Sequence, residues 1–223
     1  MIYKLNLIKS KDKLIERVFY KSMKELREFY GINWTTNTPK IFLLKDRKSI
    51  DLFGIRKTEP WLVAWADYGM QTVFVLDKKN LERQSSHKYS EKYYSCLMKH
   101  ELSHLFYKIL SAGKSGPIWL SEGVAIYTSG QNSLKPKSKP KEFKNFLTFH
   151  NQGGFDVYAE SGFVIETLVK KFGKNKLLEL IKSLKNVSDK KQFNKVFQKI
   201  YRFQINYKEI NRHYLKIDSF VTK

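Results

Sequence analysis

The chain has 223 residues, 42% hydrophobic and 15% aromatic, which suits one domain with a sizeable core and excludes a disordered segment. No apolar run approaches the roughly 18 residues that span a bilayer, and a single cysteine, Cys96, excludes an internal disulfide framework. The net charge of +21 rests on 35 Lys and only 7 Arg; arginine is the side chain suited to bidentate phosphate contact, so a lysine-biased composition is favoured over a nucleic-acid surface.

The opening stretch MIYKLNLIKSKDK has no long apolar segment before a small-residue cleavage site, so no secretory leader is expected. With the lone cysteine, this points to a reducing cytoplasm. Asp12–Tyr30 has apolar residues at three- and four-residue spacing and predicts an amphipathic helix stopped by Gly31. Lys40–Lys45 predicts a short buried strand. Trp61–Ala66 and Thr72–Leu76, separated by a turn at Asp67–Met70, predict two paired strands. Helices follow at Ser90–Leu110 and from Pro117, taken as a first helical position, to Tyr127. The segment Leu134–Lys141, with two prolines and four lysines, reads as an exposed loop. Val157–Phe172 predicts a helix with Asp156 as N-cap and Gly173 at its end, and further helices are expected at Lys174–Lys185, Asp189–Tyr201 and Tyr207–Lys216. Strands early and helices late give an α+β class in a single domain, 1–223.

The chemistry concentrates in His100-Glu101-Leu102-Ser103-His104. On a helix, residues four apart share one face, so both imidazoles reach one ion. Glu101 is rotated away from direct ligation yet within reach of a metal-bound water, whose pKa zinc lowers to about 7. A third ligand is needed. Glu122, on the next helix within Trp119-Leu120-Ser121-Glu122-Gly123-Val124-Ala125, has almost wholly apolar flanks, and a carboxylate there requires a partner. Two imidazoles and one carboxylate suit one Zn2+ and leave a fourth position for water. The metzincin pattern would need a histidine at position 110, which is Leu. His87, His150 and His213 have no supporting spacing and read as surface or core residues. Cys96 reads as a small buried hydrophobe. Asp156 and Glu160 are read as an N-cap and a surface acid, or as acceptors that orient a ligand histidine.

H-E-L-S-H followed by W-L-S-E-G-V-A resembles the gluzincin clan of zinc peptidases, and among them the compact peptidase MA-like proteins. Tyr158–Leu168 and Lys170-Lys171-Phe172-Gly173 resemble the helix that follows the glutamate helix in that family. The likeness covers about Lys40 to Tyr201. It implies a zincin-like fold: a small strand-containing upper lobe (about 1–113) over the active-site helix, a helical lower lobe (about 114–223), and a cleft between. It also implies that Thr72–Leu76 is the edge strand pairing with an extended peptide, and that a downstream residue, here Tyr158, stabilises the oxyanion. The large aminopeptidases of the clan carry G-x-M-E-N; the nearest segment here, Gly69-Met70-Gln71, lacks the acid, so an endopeptidase is expected rather than an aminopeptidase. Two alternatives stand beside this reading. One is a nucleic-acid-associated zinc protease recruited through a basic surface. The other is a zinc-binding module without turnover, against which the presence of Glu101 argues.

Overall fold

The computed structural model describes residues 8–54, 56–134, 139–147 and 155–221. Helix α1 (Lys13–Tyr30) starts where the Asp12 carboxylate accepts the backbone N–H groups of Leu14 and Ile15, and ends at Gly31 in the left-handed region, φ 65°. Its buried stripe Ile15, Val18, Met23, Leu26 and Tyr30 is the one the sequence periodicity predicts.

Strands β1 (Lys40–Leu44), β2 (Ala64–Asp67) and β3 (Thr72–Leu76) form a mixed sheet in the order β1-β3-β2. β3 pairs parallel with β1, from Lys40↔Thr72 to Leu44↔Leu76, and antiparallel with β2, with Trp65 opposite Phe74. This corrects the expectation that Thr72–Leu76 is an edge. All five residues of β3 are buried because it has neighbours on both sides; the edge beside the antiparallel pair is β2. The Leu76 N–H donates to the Val63 carbonyl at 2.8 Å. Antiparallel alternation then turns the N–H and C=O of Ala64 and Ala66 away from β3.

The apolar run from Trp61 becomes a strand only at Ala64. The Arg47 guanidinium occupies the preceding carbonyls, donating to those of Glu59, Pro60 and Leu62 as well as to Gln84 and the Thr58 hydroxyl. Arg47 begins α2 (Arg47–Gly54), and a short α3 (Leu81–Gln84) follows β3.

Helix α4 (Glu91–Leu110) is capped by the Ser90 hydroxyl, which accepts the Tyr93 N–H at 3.1 Å. α5 spans Ile118–Ser129, and Pro117 stands before its first turn with extended backbone (φ −64°, ψ 142°), as the cap rather than the first helical residue. α6 (Phe155–Phe172) begins before Asp156, so Asp156 lies within the first turn and is not the N-cap expected of it. α7 (Lys174–Ser183), α8 (Lys190–Tyr201) and α9 (Tyr207–Val221) complete an α+β architecture with nine α-helices and three strands among the described residues. His150, Lys135 and Lys137 lie outside the described residues. No helix among the described residues is long and apolar enough to cross a membrane.

Two apolar clusters form the core. One joins the sheet to the start of α1 and to Tyr94, Leu97 and Met98 of α4. The other gathers Leu102, Leu105, Phe106 and Tyr107 of α4 with the buried faces of α5 to α9.

Glu160 takes neither role considered for it. Its buried carboxylate accepts the backbone N–H groups of Lys144, Asn145 and Phe146 at 2.8–3.0 Å. Asn211 on α9 grips the same strap, accepting from the Phe143 N–H and donating to its carbonyl. Charge-assisted bonds of this kind contribute about 1.5–3 kcal/mol. Glu160→Gln replaces one acceptor oxygen with a donor facing N–H groups, and is expected to lower stability by about 2–3 kcal/mol in urea unfolding. An unchanged midpoint would show that the strap is held by other contacts.

Candidate metal centre

The site is built where α4 and α5 cross. Between the two histidines of α4, the Ser103 hydroxyl meets the Tyr30 hydroxyl at 2.7 Å and accepts from Thr128 at 2.8 Å, so one buried side chain ties together α1, α4 and α5. On the far side, α5 lies directly on α6 at two glycines. A Cβ on Gly123 would stand 2.6 Å from the Ser161 carbonyl, and one on Gly162 would stand 2.3 Å from both Asn132 Oδ1 and Ile126 Cγ2.

His100 Nε2, His104 Nε2 and Glu122 Oε2 converge into a triangle. Its sides are 3.1 Å between the histidines, 3.4 Å from His100 to Glu122 and 3.6 Å from His104 to Glu122. A tetrahedral zinc with bonds of about 2.0–2.1 Å holds its ligands roughly 3.3–3.4 Å apart, so these residues fit the ion without rearrangement. They form a group able to hold a metal among the described residues. Burial alone would raise the pKa of Glu122. The facing imidazoles of His104 and His100 outweigh it and hold the carboxyl well below the usual carboxylate range.

Glu101 stays outside the triangle and is 8% exposed. Burial, against the lowering effect of His100 and with the added repulsion of Glu122, pushes its pKa up to about 7. The Ala66 backbone N–H, one of the outward groups of β2, faces this carboxylate and favours its charged form. Tyr158, on α6, is 39% exposed, and its hydroxyl is pushed up to about 12 by burial, then by the charges of Glu122 and Glu101. It lies within the electrostatic reach of both carboxylates.

One residue of the site was not picked out from the sequence. The Gln131 carboxamide oxygen is 3.0 Å from His100 Nδ1. Gln131 opens a 3-10 turn (Gln131–Leu134) directly after Gly130, whose φ of 79° reverses the chain out of α5. No motif spacing marks it.

His87 is a connector: its Nε2 is 2.8 Å from the Trp61 carbonyl and its Nδ1 is 2.8 Å from the Tyr93 hydroxyl. His213 is partly buried and packs against Phe172 and Phe203, edge-on to the first and tilted to the second. Cys96 is buried, and burial raises its thiol pKa, which suits a packing role.

Comparison with protein-family models, with curated proteins and with solved structures finds no match to this chain.

Proposed function

We propose that the protein is a zinc-dependent peptidase, an endopeptidase of gluzincin type, with His100, His104 and Glu122 as the metal ligands and Glu101 as general base. The observation that carries this reading is the triangle of two Nε2 atoms and one carboxylate oxygen at zinc-compatible spacing, with a second, uncommitted carboxylate buried beside it. A purely structural zinc site has four protein ligands; here a three-ligand group stands next to an acid tuned close to neutral pH.

Zinc, when bound, supplies a Lewis acid that polarises a carbonyl and makes a nearby water easier to deprotonate. Glu101 takes the proton from that water and returns it to the leaving amine. The outward C=O of Ala66 and the outward N–H and C=O of Ala64 are the main-chain groups that would pair with an extended chain laid along β2, which is the physical basis for a peptide substrate. Laid there, the chain runs past Glu101, because the Ala66 N–H faces that carboxylate. Tyr158 donates its hydroxyl proton toward the developing oxyanion. Its raised pKa keeps it a donor throughout the physiological range.

The test is elemental analysis of the purified protein together with a peptide-library digest, with and without a chelator. One zinc per chain and chelator-sensitive internal cleavage are expected. Absence of bound zinc, or cleavage that a chelator does not touch, would sink the reading. Tyr158→Phe is expected to lower kcat by roughly ten- to a thousandfold with KM little changed. A shifted Tm with unaltered kcat would instead assign Tyr158 to packing.

A further inference from the structure

We propose that Gln131 is the positioning residue of this centre: its carboxamide oxygen holds the proton of His100 on Nδ1, and so keeps the Nε2 lone pair aimed at His104 and Glu122. The inference rests on the metal-site reading for its consequence, and on the His100–Gln131 contact for its substance.

A neutral imidazole carries one N–H, and the nitrogen without it is the one able to bind a metal. The partner of the far nitrogen decides which tautomer is held. His100 Nε2 belongs to the triangle, and its Nδ1 meets Gln131 Oε1 at 3.0 Å. With the oxygen of the amide facing the ring, Nδ1 must be the donor and Nε2 the acceptor. Were the ring reversed in tautomer, two acceptors would face each other at Nδ1 and a proton would occupy the ligand position.

The turn carrying Gln131 is held for this task. Gly130 supplies the left-handed conformation that brings the chain back onto α4. The next residue, Asn132, donates from Nδ2 to Glu166 of α6 at 2.9 Å. Its own Oδ1 lies where a Cβ on residue 162 would fall, so the fit of this turn against α6 requires Gly162. The Ser133 hydroxyl closes the turn onto the Gly130 carbonyl at 2.8 Å. Gln131 is thus fixed between α4 and α6, and its side chain reaches a histidine that is itself buried.

A carboxamide differs from a carboxylate here. It accepts from Nδ1–H without adding negative charge beside a cluster that already contains Glu101 and Glu122.

The experiment compares wild type with Gln131→Leu, which keeps the bulk and removes the acceptor, and Gln131→Glu, which keeps an acceptor. Asn132→Ala, which loosens the turn without touching the side chain, is the fourth protein. In metal-free samples, long-range ¹⁵N–¹H spectra of His100 should report the Nδ1–H tautomer in wild type and Gln131→Glu. Gln131→Leu should give a mixed or Nε2–H tautomer, and Asn132→Ala a partial shift. Zinc affinity, by competition with a chromophoric chelator, should fall about 10–100-fold in Gln131→Leu and return to within a few-fold of wild type in Gln131→Glu. If Gln131→Leu keeps both the tautomer and the affinity, the proposal is wrong. If Gln131→Glu is as weak as Gln131→Leu, the residue acts through shape and not as an acceptor, which also overturns it. Failure of the wild type to bind zinc would refute the peptidase reading by itself, and the metal-free spectra would still decide the role of Gln131. Should Gln131→Leu not fold, the partial shift in Asn132→Ala carries the decision.

Discussion

Glu101→Gln is expected to keep zinc and fold while lowering peptide cleavage by about 10²–10⁴-fold or more. The amide oxygen can still accept the Ala66 N–H, so the contact between α4 and β2 survives, but an amide cannot take a proton from water. Cleavage at the wild-type rate would remove Glu101 from the mechanism. The same substitution has a second, independent signature in the metal-free protein. The Glu101 carboxyl has a folded pKa of about 7, raised from an ordinary 4.5 chiefly by burial. A carboxyl with a raised folded pKa contributes its full stability below the unfolded value and loses it as pH rises through the folded one. Chelated wild type should therefore lose up to about 3 kcal/mol from this group between pH ~4.5 and pH ~8, and Glu101→Gln should lose none of it. The two proteins should have diverging Tm values as pH rises, the variant being the more stable. Parallel Tm profiles across that window would mean that Glu101 is not buried in a hostile environment.

Removal of a ligand should act on the metal itself. His104→Ala and Glu122→Ala each delete one corner of the triangle, and zinc affinity should fall further than the ~10–100-fold typical of an outer partner. Full zinc occupancy in both variants after dialysis against a chelator would refute the ligand set.

The two histidines and Glu101 were legible because four-residue spacing on a helix is a local, periodic signal. Glu122 was legible because a carboxylate between Leu120 and Val124 makes no sense without a partner. Gln131 had no such mark: an ordinary polar residue after a helix, it becomes informative only when Gly130 turns it back onto α4. Strand order was similarly hidden. Thr72–Leu76 announces a strand by its composition, but whether it has one neighbour or two depends on where β1 returns, which no short window contains. The start of β2 was misplaced because Arg47, distant in sequence, holds the carbonyls before it. Helix boundaries followed their caps where a side chain does the capping, as at Asp12, Ser90 and Asp189. The prediction failed at Asp156, where the helix begins earlier than the candidate cap.

Helix α4 supplies apolar side chains to both clusters of the core: Tyr94, Leu97 and Met98 to one, Leu102, Leu105, Phe106 and Tyr107 to the other, with His100 at the junction. Neither cluster is complete without it. An opening fluctuation that releases α4 must therefore break both at once, and its amides should exchange with solvent only through something close to global unfolding. Gln131 sits on a short turn whose opening breaks only a few hydrogen bonds. The centre thus joins a helix shared by both clusters to a turn held by local hydrogen bonds, so the His100 orientation should be lost in smaller openings than those that release the ligands from their helices.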